Sequence, residues 1–171
     1  MSVTLYLMRH GIAADPAPGM RDADRALTPE GVRKTTRVAL GLQHIGLKPA
    51  VILSSPLRRA EETARLVADV LDPRPPVELY PPLAGGIGPL DVVRQLRPHR
   101  TAGELLLVGH QPDLGELASY LLTGQASLTP LPFRKAGVAA ISLGSLPPRS
   151  SGVLEWFLTP GQLRDIASSR N

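Results

Sequence analysis

Short apolar runs, each followed by a proline-marked helix start, recur along this chain, and that recurrence limits the fold more than any other feature. Val3–Leu7 leads, through a polar loop over Asp15–Arg25, into Thr28-Pro29-Glu30. Ala50–Leu53 runs into Ser55-Pro56, Glu104–Val108 into Gln111-Pro112, and Val153–Leu158 into Thr159-Pro160. A Thr or Ser hydroxyl can accept from a free first-turn N–H, and Pro is preorganised for the first helical position. The first helix is expected to end near His44. The second carries Ala60, Ala64, Val67, Ala68 and Leu71 at helical spacing and stops at Pro73, Pro75 and Pro76. Val77–Leu79 reads as a third strand, and Gly88-Pro89 opens a short helix. The helix after Pro112 places Leu114, Leu117, Ala118 and Leu121 on one face; the last turns Leu163, Ile166 and Ala167 inward. Val138–Leu143 and Val153–Leu158 read as a late strand pair. Strands alternating with helices imply an α/β fold: a three-layer α/β/α arrangement with a mostly parallel central sheet and helices on both faces. The late pair would add an antiparallel edge.

A chain of 171 residues fits a single domain over 1–171. It can bury ~70% of the surface its unfolded form exposes. There is no cysteine, so a thiol nucleophile, a zinc ribbon and a disulfide scaffold are excluded. No segment approaches the roughly 20 apolar residues of a membrane span. The N-terminus lacks the basic start of a secretory signal, and a cytoplasmic, non-membrane protein is expected. The net charge of +4 comes from scattered residues, and only 4% of the chain is aromatic, which argues against nucleic-acid binding. A modest positive balance suits an anionic substrate.

In open α/β sheets, ligands bind beyond the carboxyl ends of the strands. Those ends are followed here by Arg9-His10-Gly11, by Ser54-Ser55-Pro56-Leu57-Arg58-Arg59 and by Gly109-His110-Gln111-Pro112. Two histidines and two or three arginines thus collect at one sheet edge, with no carboxylate in the immediate positions. Helix N-termini beside that edge add free N–H groups and a favourable dipole for an anion. The guanidinium fork of Arg bonds two phosphate oxygens at once. Histidine can attack phosphorus and form a covalent intermediate. Gly11 allows a sharp turn or a close approach of the backbone. Other features take simpler readings. His44 and His99 belong to a helix end and a polar turn, Trp156 and Phe157 pack, and Glu61 and Glu62 face solvent or pair with Arg65.

These segments resemble the histidine phosphatase superfamily, which includes the phosphoglycerate mutases. LYLMRHGIA is similar to its Arg-His-Gly motif. LTPEG, SSPLRRAEETA, LLLVGHQPDL, KAGVAAI and LEWFLTPGQL resemble, in order, the SixA-type phosphohistidine phosphatases. The resemblance covers nearly the whole chain and implies a phosphoglycerate mutase-like core with no large cap insertion. By matching motif, it makes His10 the phosphorylated nucleophile. Arg9 and Arg59 become phosphate ligands, His110 the distal histidine contacting the phosphoryl group, and Arg25 a weaker ligand. It implies no cofactor and no metal, the arginines supplying the positive charge.

One departure bears on the substrate. Broader members of the superfamily carry an acid after the second strand's helix that protonates an alcohol leaving group. Here that region reads LYPPLAGGIGPLD, with no Asp or Glu between Leu79 and Leu90. An alkoxide needs a proton donor, whereas an imidazole can leave already protonated on its other nitrogen. The expected activity is therefore transfer of a phosphoryl group from a protein phosphohistidine to His10 and then to water. A small-molecule phosphomonoesterase is the alternative if Asp15, Asp91 or Asp113 reaches the site. A non-catalytic phosphoprotein-binding module is a further one. The partner is accordingly a histidine-phosphorylated protein or a small phosphorylated substrate.

Overall fold

The structure is a computed structural model that describes residues 2–169. Its first strand, β1 (Val3–Arg9), lies inside a mixed sheet rather than at its rim. The sheet also contains β2 (Val51–Ser54), β3 (Val77–Leu79), β4 (Glu104–Gly109), β5 (Val138–Leu143) and β6 (Val153–Leu158), in the order β3-β2-β4-β1-β5-β6. β3, β2, β4 and β1 are parallel; β5 runs antiparallel to both β1 and β6. β1 and β4 are in register, Leu5 opposite Leu105 and Arg9 opposite Gly109. The late strands are the antiparallel addition the sequence suggests.

Helices α1 (Pro29–His44), α2 (Arg58–Val70), α3 (Pro89–Gln95), α4 (Asp113–Thr123) and α5 (Pro160–Ser168) cover both faces. Leu5, Leu7, Leu53, Leu105, Leu107 and Ile141 point one way, against α3 and α4. Tyr6, Met8, Ile52, Leu106, Val108 and Ala140 point the other way, against α1, α2 and α5. Because both faces are covered, the inner strands are continuously apolar rather than alternating.

The helix starts follow the sequence signals with one shift. The Thr28 hydroxyl accepts from Gly31 N–H at 2.9 Å, and Thr159 forms a reciprocal capping box with Gln162. α2 begins at Arg58, not at Ser55-Pro56. Ser55 is still held by the sheet, its N–H donating to Val108 O at 2.9 Å. The loop over residues 15–25 contains a single 3-10 turn, Asp22–Asp24, which the polar composition there does not signal. His44 reaches outward, its Nδ1 lying 3.3 Å from Ile166 O of α5.

α1 and α5 pack at a glycine. A Cβ on Gly41 would lie 2.1 Å from the carbonyl oxygen of Leu163, whose side chain is fully buried. A side chain there must push the two helices apart. Gly41→Ala is therefore expected to lower unfolding stability by about 1–3 kcal/mol despite its better helix propensity, as urea denaturation would read. An unchanged or raised midpoint would refute this packing.

Candidate active site

The carboxyl edge of the sheet gathers the chemistry. β1 ends with Arg9, and His10 follows, its N–H donating to Gly109 O at 3.0 Å, so the turn after β1 is tied to the end of β4. His10 is 6% and His110 9% exposed, and their rings stand 5.1 Å apart. Gly11 answers to a close approach, but by the protein itself. A Cβ there would lie 2.3 Å from the Thr35 hydroxyl of α1, and Gly11 N–H donates to Thr63 Oγ1 of α2 at 3.0 Å. The turn carrying His10 is thus clamped between two helices.

His10 Nδ1 lies 2.7 Å from Gly11 O. A carbonyl only accepts, so Nδ1 carries the proton and Nε2 is bare. Arg59, 7% exposed near the start of α2, donates from Nε to that bare Nε2 at 3.3 Å. Arg9 donates from Nη1 to Phe133 O at 2.9 Å, and its Nε is buried without a partner. His110 Nε2 lies 2.7 Å from the Ser55 hydroxyl, while its Nδ1 is buried and unpartnered. Two unpaired polar groups therefore remain around His10, on Arg9 and His110. Buried polar atoms are costly unless hydrogen-bonded, and a tetrahedral oxyanion can accept from several such donors at once.

Electrostatics keep both imidazoles neutral. Burial pushes His10 down to about 3, with His110, Arg59 and Arg9 opposing its protonation too. Burial and Arg59 push His110 down to about 4.

The four residues expected at the edge, Arg9, His10, Arg59 and His110, are thus brought together. Arg25 is not in contact with them: its Nε donates to Ala14 O at 2.7 Å and its Nη1 to Asp22 Oδ1 at 2.9 Å. The polar loop also delivers a carboxylate that strand-end reasoning misses. Asp22 receives Arg59 twice, Nη1 on its carbonyl at 2.8 Å and Nη2 on Oδ2 at 3.0 Å. Hydrogen bonds from Arg25 and then Arg59 hold the Asp22 carboxyl below the usual carboxylate range. No periodicity or spacing in Asp22-Ala23-Asp24-Arg25 signals this contact. Glu62 likewise does more than face solvent: it accepts from Leu27 N–H at 2.7 Å and pairs with Arg58 at 2.8 Å. Among the described residues, no three His, Asp or Glu side chains are grouped to share a metal ion. None of the described helices is long and apolar enough to cross a membrane.

Residues 5–84 match the model of the histidine phosphatase superfamily, branch 1. An uncharacterized protein from Picosynechococcus is 41% identical over 142 residues, 82% of this chain and 86% of its own length. Phosphohistidine phosphatase SixA from Escherichia coli is 28% identical over 162 residues, 94% of this chain and 96% of its own. The chain belongs to the histidine phosphatase superfamily. Within that superfamily its likeness is SixA-type. A structure of the protein histidine phosphatase SixA complexed with tungstate superposes with a TM-score of 0.81 at 28% identity, covering 94% of this chain and 99% of that one. The α/β architecture is thus that of the SixA-type histidine phosphatases, and the chain is, at the level of its family, a phosphatase.

The neutral histidines of this histidine phosphatase make a testable link to pH. An unfolded imidazole titrates near ~6.5, whereas folded His10 and His110 take up protons only toward about 3 and about 4. Between those limits the unfolded chain binds more protons, so stability rises with pH across the window and is lost as pH falls through it. His10→Asn is expected to flatten that slope, measured by urea unfolding at a series of pH values. NMR titration of the wild type should find the His10 ring neutral where a free imidazole is half protonated. A titration near the free value would overturn the assignment.

Proposed function

We propose that the protein is a phosphohistidine phosphatase whose substrate is a phosphorylated histidine on another protein. The observation that supports this reading most is the pairing of a bare, neutral His10 Nε2 with a nearby carboxylate unfit to act as an acid. Asp22 is ion-paired and held ionised by Arg25 and Arg59. It cannot protonate an alkoxide, but a phosphohistidine leaving group does not require it to.

In this reading, His10 Nε2 attacks phosphorus in line. The new N–P bond forms as the substrate's N–P bond breaks, and the substrate imidazole departs with the proton already on its other nitrogen. His10 keeps its own proton on Nδ1, donated to Gly11 O. Arg9, Arg59 and His110 stabilise charge on the equatorial oxygens. Arg59 must then exchange Asp22 for phosphoryl oxygens, and Arg25 acts indirectly by holding Asp22. In the second step water attacks phosphorus, the His10–phosphorus bond breaks, and phosphate leaves with the water's proton lost to solvent or to phosphate itself. The name of the tungstate-bound relative, a protein histidine phosphatase, and the lack of a capping insertion favour a protein-borne substrate over a small one.

One observation favours a small-molecule phosphomonoesterase. Asp113, at the start of α4, lines the same pocket as His110, against Gly85 and Leu83. Asp15 and Asp91 do not share that position: both are exposed, and Asp91 pairs with Arg94 at 3.5 Å.

Phosphate release from a histidine-phosphorylated protein domain and from a simple phosphomonoester separates the two. The expected result is fast release from the phosphohistidine, abolished by His10→Ala and changed less than about threefold by Asp113→Asn. General acid catalysis is typically worth about 10²–10⁴-fold. Fast monoester hydrolysis that falls by that factor in Asp113→Asn would make Asp113 the acid and transfer the assignment to small phosphomonoesters.

A further inference from the structure

Beside the catalytic centre lies a basic pocket that shares Arg9 with it and whose other cations the chemistry above does not use. It is an open depression of about 390 Å³ between the first halves of α1 and α5 and the turn that precedes β5. β6 runs parallel to β1, so the N-terminus of α5 emerges at the same sheet edge as His10. Arg9, Lys34, Arg134, Lys135 and Arg164 line the pocket, and no acidic residue does.

Two features, a buried hydroxyl in its wall and a basic turn fixed in place, separate this pocket from an ordinary solvated basic surface. Of its cations, Lys34 is paired with Glu30 at 2.5 Å. Among the described residues, Arg134, Lys135 and Arg164 have no carboxylate within ion-pair distance. Thr35, fully buried in the pocket wall, has a hydroxyl with no hydrogen-bond partner. The basic turn is also fixed to the catalytic dipeptide. Ala136 N–H is shared between Arg9 O at 3.0 Å and His10 O at 3.1 Å, Arg9 N–H donates to Gly137 O at 3.1 Å, and Arg9 Nη1 holds Phe133 O. Ala136 takes a φ of 64° to allow this. A left-handed alanine costs about 1 kcal/mol or more, and it persists only where its surroundings over-determine it. Arg134 and Lys135 are therefore set at a fixed position relative to His10.

We propose that this pocket is a docking subsite for carboxylates on the substrate protein, engaging an acidic face beside the phosphohistidine while His10 takes the phosphoryl group. The proposal rests on the phosphohistidine reading above. Exposure of Arg134 and Lys135 favours a protein surface. Long, solvated side chains at a rim match carboxylates spread over a face, and rim charges act on encounter and salt dependence more than on the chemical step.

The test uses the full chain and the double variant Arg134→Glu/Lys135→Glu. Arg97→Glu/Arg149→Glu, on another pocket at the opposite sheet edge, makes the same change in net charge and serves as control. Two substrates share the scissile bond: an acidic histidine-phosphorylated protein domain and free phosphohistidine. For the protein substrate, KM should rise about tenfold in the first variant at low salt with kcat unchanged, and its dependence on salt should flatten. Free phosphohistidine turnover and the control variant should stay as wild type. Equal losses on both substrates would mean that these cations act on the phosphoryl group and would overturn the proposal. So would an unchanged KM, or an equal loss in the control. If wild type cleaves neither substrate, the phosphohistidine reading itself fails. Docking is then decided by NMR titration with the unphosphorylated acidic domain: perturbation centred on residues 134–136, absent in the variant, supports the subsite, and none refutes it.

Discussion

Everything at the carboxyl edge depends on β1 being paired on both sides. A strand hydrogen-bonded to β4 on one flank and β5 on the other cannot shift register without moving two neighbours and inverting which side chains meet each core. Arg9 and His10 follow directly from that strand. Their backbone is held by Gly109 of β4 and by Gly137 just before β5. The strand pairing thereby places His110 and the Phe133–Ala136 turn around His10, although those residues are about a hundred positions apart in sequence. The antiparallel β5, which looks like a late appendage in the sequence, is what brings that turn to the edge.

Given this frame, the protonation state of His10 follows from where its neighbours lie. A ring buried among two guanidinium groups has no route to a stable imidazolium, and the Gly11 carbonyl settles which nitrogen keeps the single proton. The same cations also draw an anion from the chain itself. Arg59 finds one in Asp22, which comes from a loop rather than from any strand end. That pair is half exposed, since Asp22 has 61% of its side chain in solvent. Solvent screens the pair on its Asp22 side, while the buried Arg59 guanidinium keeps its need for an anionic partner.

The sheet, its helices and the group formed by Arg9, His10, Arg59 and His110 were legible in the sequence for a physical reason. Strand ends are marked by apolar runs, helix starts by Thr-Pro and Ser-Pro, and α/β topology puts the carboxyl ends of parallel strands together. What stayed hidden depends on contacts that no local pattern encodes. Asp22 meets Arg59 only because a 3-10 turn folds the polar loop back over α2. Arg25, placed near the phosphate by motif, instead spends its donors on Ala14 and Asp22. The start of α2 moved to Arg58 because sheet pairing outcompeted the Ser-Pro signal at Ser55. Glycine was readable as a close approach at Gly11, but the approaching group, the Thr35 hydroxyl, was not.

Thr35 also shows how one small residue couples two places. Its side chain presses on Gly11 from behind the catalytic turn and lies in the wall of the basic pocket. Any larger residue at position 11 would force the Thr35 side chain, and with it that pocket wall, to rearrange. The Arg-His-Gly tripeptide thus sets more than the position of one imidazole. The arginine and histidine carry the charge and the bare nitrogen. The glycine lets α1 close against them, so that Lys34 on α1 and Arg164 on α5 stand beside the same edge. An uncapped core of this kind has few surfaces from which to read a substrate. The ones it has are the helix starts and turns that pack directly on Arg9 and His10.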